Sequence, residues 1–326
     1  MARQRVGTRT IESFAERFDG VVDNISEVIQ GKDEAIQLAL VCLIAEGHLL
    51  IEDVPGVGKT SLAKALAASI DCTWHRIQFT PDLLPSDVTG VTVWNRGTGT
   101  FEFRAGGIFA NIVLGDEINR ASPKTQSALL EAMEERQVTV DATTYRLAAP
   151  FMVIATQNPV EHEGTYPLPE SQLDRFLMRI RMGYPARKAE LAILDTHGGA
   201  TAAVDELTPV ASAADVRAMI ALAQSVHVAP SLKGYIVDLA EATRRHRDLA
   251  IGVSPRAALG LQRAARARAA ALGREYVVPD DLKELAFPLL EHRLALTPEA
   301  QMRGVARADV LADAIGSVKV PTGRSN

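Results

Sequence analysis

The sequence predicts an α/β fold: a parallel sheet with flanking helices, interrupted by two β-hairpins and followed by a smaller all-helical domain. Three observations carry this prediction. Short apolar runs at residues 48–52, 76–79, 112–114, 151–155 and 179–182 alternate with helix-like segments, the rhythm of a sheet covered on both faces. Two stretches break that rhythm with alternating residues around turn signals. These are 91–103, bent at Asn95-Arg96-Gly97-Thr98-Gly99, and 138–147, bent at Asp141-Ala142-Thr143, and each reads as a hairpin. Beyond Tyr184-Pro185 the chain turns Ala-rich and helical in pattern.

Taken in order, residues 1–10 hold three Arg and read as a loose basic tail. From Ile11 to Ile44 the apolar residues recur at helical spacing, with a break at Gly31. The α/β core is assigned to 11–190, a Gly/Ala/Thr-rich link to 191–207, the helical domain to 208–317 and a frayed end to 318–326.

Bulk properties narrow the classes. A chain of 326 residues has room for two domains. Hydrophobic residues at 47% and charged residues at 23% are globular averages, which argues against disorder. The net charge of -5 gives no whole-chain attraction to nucleic acid or to acidic membranes. Cys42 and Cys72 have no paired spacing for zinc or redox chemistry and are expected to be buried. With neither a secretory leader nor an apolar run long enough to span a bilayer, the expected location is the cytoplasm.

Residues 51–61, Ile-Glu-Asp-Val-Pro-Gly-Val-Gly-Lys-Thr-Ser, form a Gly-rich bend between a strand-like and a helix-like run. Backbone N–H groups of Pro55-Gly56-Val57-Gly58-Lys59-Thr60-Ser61 and the positive end of the following helix suit an anion; Pro55 itself contributes only the bend. Lys59 adds a point charge, and the Thr60 hydroxyl can ligand Mg²⁺. Asp53 departs from the usual pattern, which begins with Gly.

Downstream, Ile112-Val113-Leu114-Gly115-Asp116-Glu117 is an apolar strand that delivers two carboxylates at its C-terminal edge, where open α/β sheets bind ligands. Asp116 suits Mg²⁺, and Glu117 suits the orientation and deprotonation of an attacking water. The run 151–158 repeats the geometry and ends in Asn158, which can bond that water or a terminal phosphate. Arg175 stands just before the last core strand. It either pairs with a carboxylate, Asp174 being adjacent, or reaches a neighbouring subunit's phosphate as an arginine finger, which requires an oligomer. In Ser254-Pro255-Arg256, Ser254 reads as an N-cap. A cation in the first helical turn opposes the helix dipole, so Arg256 points to an anion.

In sequence order these segments closely resemble the MoxR family of AAA+ ATPases between about Gly31 and Phe176. The telling stretches are Phe79-Thr80-Pro81-Asp82-Leu83-Leu84-Pro85-Ser86-Asp87, Asp116-Glu117-Ile118-Asn119-Arg120-Ala121, residues 126–137, Ala155-Thr156-Gln157-Asn158-Pro159 and residues 163–170. A looser resemblance runs on through Ser254-Pro255-Arg256-Ala257. It implies a P-loop nucleotide core with a helical lid, assembled into hexameric rings that bind ATP and Mg²⁺ between subunits. On this analogy Lys59 and Thr60 belong to Walker A, and Asp116 and Glu117 to Walker B. Asn158 is the first sensor, Arg175 the trans-acting finger and Arg256 the second sensor. Ile29, Gln30 and Gly31 match the segment lining the adenine. Gly107 stands where the family pattern has Pro, which would loosen the entry to the Walker B strand.

The implied function is a chaperone-like ATPase that remodels or matures partner proteins, often ones with a von Willebrand factor A domain, or that helps insert metal cofactors. Trp94, Phe101 and Phe103 of the first hairpin are candidate client contacts. The alternative is a helicase-like, nucleic-acid-dependent motor using the stretch from Arg244 to Arg274, which carries eight Arg and a single acidic residue, Asp248. That stretch has almost no aromatic residues for base stacking, which favours the chaperone reading.

Overall fold

The computed structural model describes residues 2–158, 165–185, 187–188, 190–191 and 203–321. Pro159, Glu163 and Gly164 of the family-like stretches, most of the link assigned to 191–207 and the last five residues lie outside the described residues.

The chain opens with α1 (Ala2–Ser26) and α2 (Asp33–Ile44). Gly31 separates them at φ 70°, a left-handed turn that favours glycine. The expected tail at 1–10 is corrected: α1 begins at Ala2. No proline interrupts those residues, and a helical Gly7 costs only about 1 kcal/mol relative to Ala. The helix set by the buried stripe Ile11, Phe14, Phe18, Val21, Val22 and Ile25 therefore runs back over them.

The central sheet has the order β2-β5-β8-β1-β9. Its strands are β1 (Leu49–Glu52), β2 (Trp74–Gln78), β5 (Ile112–Asp116), β8 (Met152–Gln157) and β9 (Met178–Ile180). The pairs β2 with β5, β5 with β8 and β8 with β1 are parallel. Every residue of β5 is buried, and so are the first five of β8, which accounts for the apolar runs 112–114 and 152–155 that precede Asp116 and Thr156. Strand β2 lies at the edge and is only partly covered, with His75 and Arg76 exposed and Ile77 buried. Between the sheet strands run α3 (Lys59–Ser69), α4 (Pro85–Thr89) and α5 (Pro123–Glu135). Ser122 caps α5, its hydroxyl accepting from the Thr125 N–H.

Both hairpins form as expected. The first pairs β3 (Gly90–Asn95) with β4 (Thr100–Ala105) antiparallel, Trp94 opposite Phe101. The second pairs β6 (Gln137–Val140) with β7 (Thr143–Arg146). Phe103 of the first stacks on Tyr145 of the second, ring centroids 4.0 Å apart, so an aromatic contact ties the two together.

At Gly107 the expected loosening does not occur. A Cβ there would lie 2.7 Å from Ile77 Cγ1, and the Gly107 N–H donates to the Asp87 carbonyl at 3.2 Å. Proline would clash and lose that donor. Cys42 is buried as expected, whereas Cys72 is only half-buried; its thiol is pushed up to about 11, chiefly by burial and then by the Asp71 charge.

Two compact units make up the chain, each discontinuous in sequence rather than the consecutive stretches drawn from composition. One comprises Gly20–Leu168 and Ile180–Arg217; the other comprises Met1–Asp19, Pro169–Arg179 and Ala218–Asn326. The second is built on helices Pro230–Arg244, Pro255–Ala271, Pro279–Leu290 and Arg307–Ser317. Helical as expected, it also holds one short ribbon, β10 (Leu249–Ile251) pairing antiparallel with β11 (Ala295–Leu296). Short runs flanked by caps leave room for a ribbon that helical periodicity does not reveal.

The second unit contains an ion pair between the buried Arg293 and the half-buried Asp174, Nε to Oδ1 at 2.7 Å, beside the buried His292. The His292 Nε2 lies 3.2 Å from the Phe176 carbonyl oxygen. Burial, then the Arg293 charge, holds the imidazole well below its ordinary 6.5. The unfolded chain therefore takes up a proton below about pH 6.5 that the folded chain refuses, and stability falls as pH drops through that window. Each pH unit costs up to about 1.4 kcal/mol. Melting temperatures followed from about pH 7.5 down to about pH 5 should show this decline, and His292→Gln should flatten it whatever its own effect at neutral pH. An unchanged slope in the variant contradicts the assignment.

Candidate functional site

The bend between β1 and α3 leaves the C-terminal end of β1 at Asp53 and enters the helix at Lys59. Gly56 and Gly58 sit at φ 82° and 90°, conformations that side chains resist. Left-handed residues within such a bend let successive N–H groups face one side, the arrangement that favours anions. Lys59 Nζ donates to the Asp53 carbonyl oxygen at 2.6 Å. Thr60 is the second residue of α3.

A cavity of about 210 Å³ adjoins the bend, lined by Val28, Ile29, Gln30, Lys32, Gly56, Val57, Gly58, Ser61 and Pro185. Ile29 and Gln30 are therefore brought to the same cavity as the bend. Gly31 does not line it and serves the turn between α1 and α2.

The carboxylates sit at the neighbouring strand ends. In the parallel register Gln78 faces Asp116, and Gly115 faces Ala155, so Asp116 and Thr156 share the next row. Thr156 Oγ1 donates to Asp116 Oδ1 at 2.5 Å and accepts the Glu117 N–H at 2.9 Å. One hydroxyl thus fixes both acidic residues. Arg76 completes the surroundings of Asp116, with Nε and Nη2 at 3.1 and 2.6 Å from Oδ2. Asp116 is buried, and a buried carboxylate demands such partners.

Glu117 is held apart from the sheet at φ 56°, a left-handed conformation that costs of order 1–3 kcal/mol for a residue with a Cβ. Its Oε2 accepts from Gln78 Nε2 at 2.9 Å and from Arg120 Nη1 at 2.9 Å. Asn158 is buried one residue beyond β8, beside the Asp53 N–H that bonds the Gln157 carbonyl at 3.2 Å. The bend, Asp116, Glu117 and Asn158 consequently occupy one sheet edge within one unit.

Arg175 and Arg256 belong to the other unit. Arg175 follows α6 (Glu170–Leu173), and its Nη1 lies 3.4 Å from the Ser171 carbonyl oxygen. Asp174, its adjacent carboxylate, is taken by Arg293 instead. Arg256 is exposed in the first turn of Pro255–Ala271, where Ser254 caps the helix by accepting the Ala257 N–H.

Sequence reasoning missed Thr156, Arg76, Gln78, Lys32 and Pro185. Thr156 had a signal, a hydroxyl inside an apolar strand. Arg76 and Gln78 had a weaker one, since residues two apart on a strand share a face.

Residues 48–178 match the family model of ATPases associated with various cellular activities, and residues 241–314 match the AAA lid domain. The Bacillus subtilis protein YeaC is 52% identical over 304 residues, spanning 93% of this chain and 95% of that one. Chaperone MoxR1 of Mycobacterium tuberculosis is 38% identical, over 97% of this chain and 85% of that one. Protein MoxR of Paracoccus denitrificans is 32% identical, over 95% and 98%. A crystal structure of a Cytophaga hutchinsonii chain classed as an ATPase superposes with a TM-score of 0.92 at 37% identity, over 99% of this chain and all of that one. Similarity that spans both units, and is not confined to the phosphate bend, makes this chain an ATPase of the MoxR family within the AAA+ class.

Proposed function

We propose that this chaperone-like ATPase binds ATP with its phosphates over residues 55–61 and its base in the adjoining cavity, and couples hydrolysis to the remodelling of partner proteins. The observation that carries the reading is the meeting of the glycine bend with Asp116 and Glu117 at one sheet edge. A cavity of about 210 Å³ is smaller than the roughly 300 Å³ or more of a whole-ligand pocket, which suits a base with its phosphates outside.

Thr60 and Asp116 offer a hydroxyl and a carboxylate, the hard oxygen donors that Mg²⁺ takes alongside phosphate oxygens. These residues fit the ion and would hold it; bound there it neutralises charge on the phosphoryl oxygens. Arg76 occupies one Asp116 oxygen and has to yield or share it. Lys59 leaves the Asp53 carbonyl for a phosphate. Glu117 orients a water and takes its proton, and Asn158 positions that water or the terminal phosphate.

The family resemblance supports a hexameric ring in which Arg175 serves a neighbour's phosphate and Arg256 answers to the nucleotide from the lid. It also supports a client with a von Willebrand factor A domain, with maturation or metal-cofactor insertion as the outcome. In the first hairpin Trp94 and Phe101 are the stronger client-contact candidates. They are 53% and 71% exposed and pack on each other edge to face. Phe103 is spent on Tyr145 and Phe109. The motor alternative loses ground because Arg245, Arg268 and Arg274 are engaged by Glu241, Glu284 and Asp281.

Thr156→Val removes the hydroxyl that holds both acidic residues. Turnover should fall about 10- to 100-fold, the worth of a hydrogen bond to a charged group, with nucleotide affinity nearly kept. Steady-state kinetics beside equilibrium binding check this, and an unchanged kcat contradicts it. Arg175→Ala subunits titrated into wild type should depress activity more than dilution does, since a trans arginine is worth roughly 10³–10⁵ in rate. A strictly proportional loss contradicts the shared site.

A further inference from the structure

We infer that Asp53 and Lys32 form a two-sided clamp on residues 182–184, and that this clamp sets recognition of the nucleotide base. The inference rests on the reading of the 210 Å³ cavity as the base compartment. Asp53 occupies the place where a phosphate loop ordinarily begins with glycine, and its side chain is fully employed. Oδ1 accepts the Val54 N–H at 2.8 Å. Oδ2 accepts the Met182 and Gly183 N–H groups at 2.8 and 2.5 Å.

Lys32 grips the same segment through its other polar groups. Its ammonium donates to the carbonyl oxygens of Met182, Gly183 and Tyr184 at 2.6, 2.9 and 2.8 Å, which uses all three of its protons. A carboxylate thus takes the N–H groups and an ammonium takes the carbonyls of one short stretch. Such charge-assisted bonds are about twice as strong as neutral ones.

The clamped stretch leads directly into Pro185, which lines the cavity with Val28, Ile29 and Val57. Gly183 within the stretch sits at φ 64° and is intrinsically permissive, so the clamp restrains the backbone where its own sequence leaves it most free. Asp53 also reaches the phosphate side, since its carbonyl oxygen holds Lys59 Nζ at 2.6 Å. One residue therefore joins the two halves of the compartment: its backbone meets the phosphate cation and its carboxylate places the base wall. Asp53 and Lys32 act as positioning residues and touch no reacting atom.

The consequence separates base from phosphate. Pyrophosphate needs only the bend and Lys59, whereas ADP also needs the wall. Calorimetric binding of ADP and of inorganic pyrophosphate to the full chain should show Asp53→Ala and Lys32→Met weakening ADP about 10-fold or more while pyrophosphate stays within about twofold. Asp53→Asn, which keeps an acceptor oxygen, should recover part of the ADP affinity. The double variant should be no worse than the poorer single, because both residues hold the same segment. Equal losses for the two ligands, or no loss for ADP, overturn the clamp. Lys32→Met keeps the test decisive if Asp53→Ala fails to fold. Lys59→Ala should weaken both ligands. If it weakens neither, the site reading itself falls, a result distinct from failure of the clamp alone.

Discussion

The register between β5 and β8 is the constraint on which the placement of Asp116 and Glu117 depends. Parallel pairing of Gly115 with Ala155 sets Asp116 beside Thr156, and Thr156 is the only group that bonds both the Asp116 carboxylate and the Glu117 backbone among the contacts described. A shift of one residue would turn the Thr156 hydroxyl to the opposite face of the sheet. It would also strand a buried carboxylate with one partner fewer, at a cost of about 1–3 kcal/mol. The full burial of β5 and nearly all of β8 makes that shift expensive, so apolar packing holds the register and the register holds the two acidic residues in place.

The edge is stabilised in more than one direction. Arg76 and Gln78, on the exposed edge strand, reach Asp116 and Glu117 respectively. Asp53 and Lys32 fix the segment beyond β9 against the phosphate bend. Glu117 bears a strained backbone and spends its carboxylate on Gln78 and Arg120. Ligand binding would thus exchange existing partners rather than fill an unorganised space.

Much of the fold could be read from local pattern. The strand runs, both hairpins, the break at Gly31 and the Gly-Lys-Thr bend each follow from periodicity or turn chemistry confined to a few residues. The positions of the bend, Asp116, Glu117 and Asn158 were legible because each stands at or just beyond the end of an apolar strand, whereas the roles proposed for them come from the family resemblance. Thr156, Arg76 and Lys32 were not, since their partners lie 40, 40 and about 150 residues away and only strand register or chain return brings them together. The start of α1 was missed because a basic, polar stretch lacks an apolar stripe of its own and is helical by extension from Ile11 onward. Asp53 looked like a defect in a motif until the chain returned at Met182 to use it.

In the proposed function Glu117 performs the chemistry at an edge where the bend does the binding. Measuring ATP binding and ATP turnover on one preparation of Glu117→Gln tests it most directly. Affinity should stay within about threefold of wild type while turnover falls at least about 100-fold, as expected on removing a general base. Turnover near the wild-type rate, or parallel loss of binding and turnover, would contradict it.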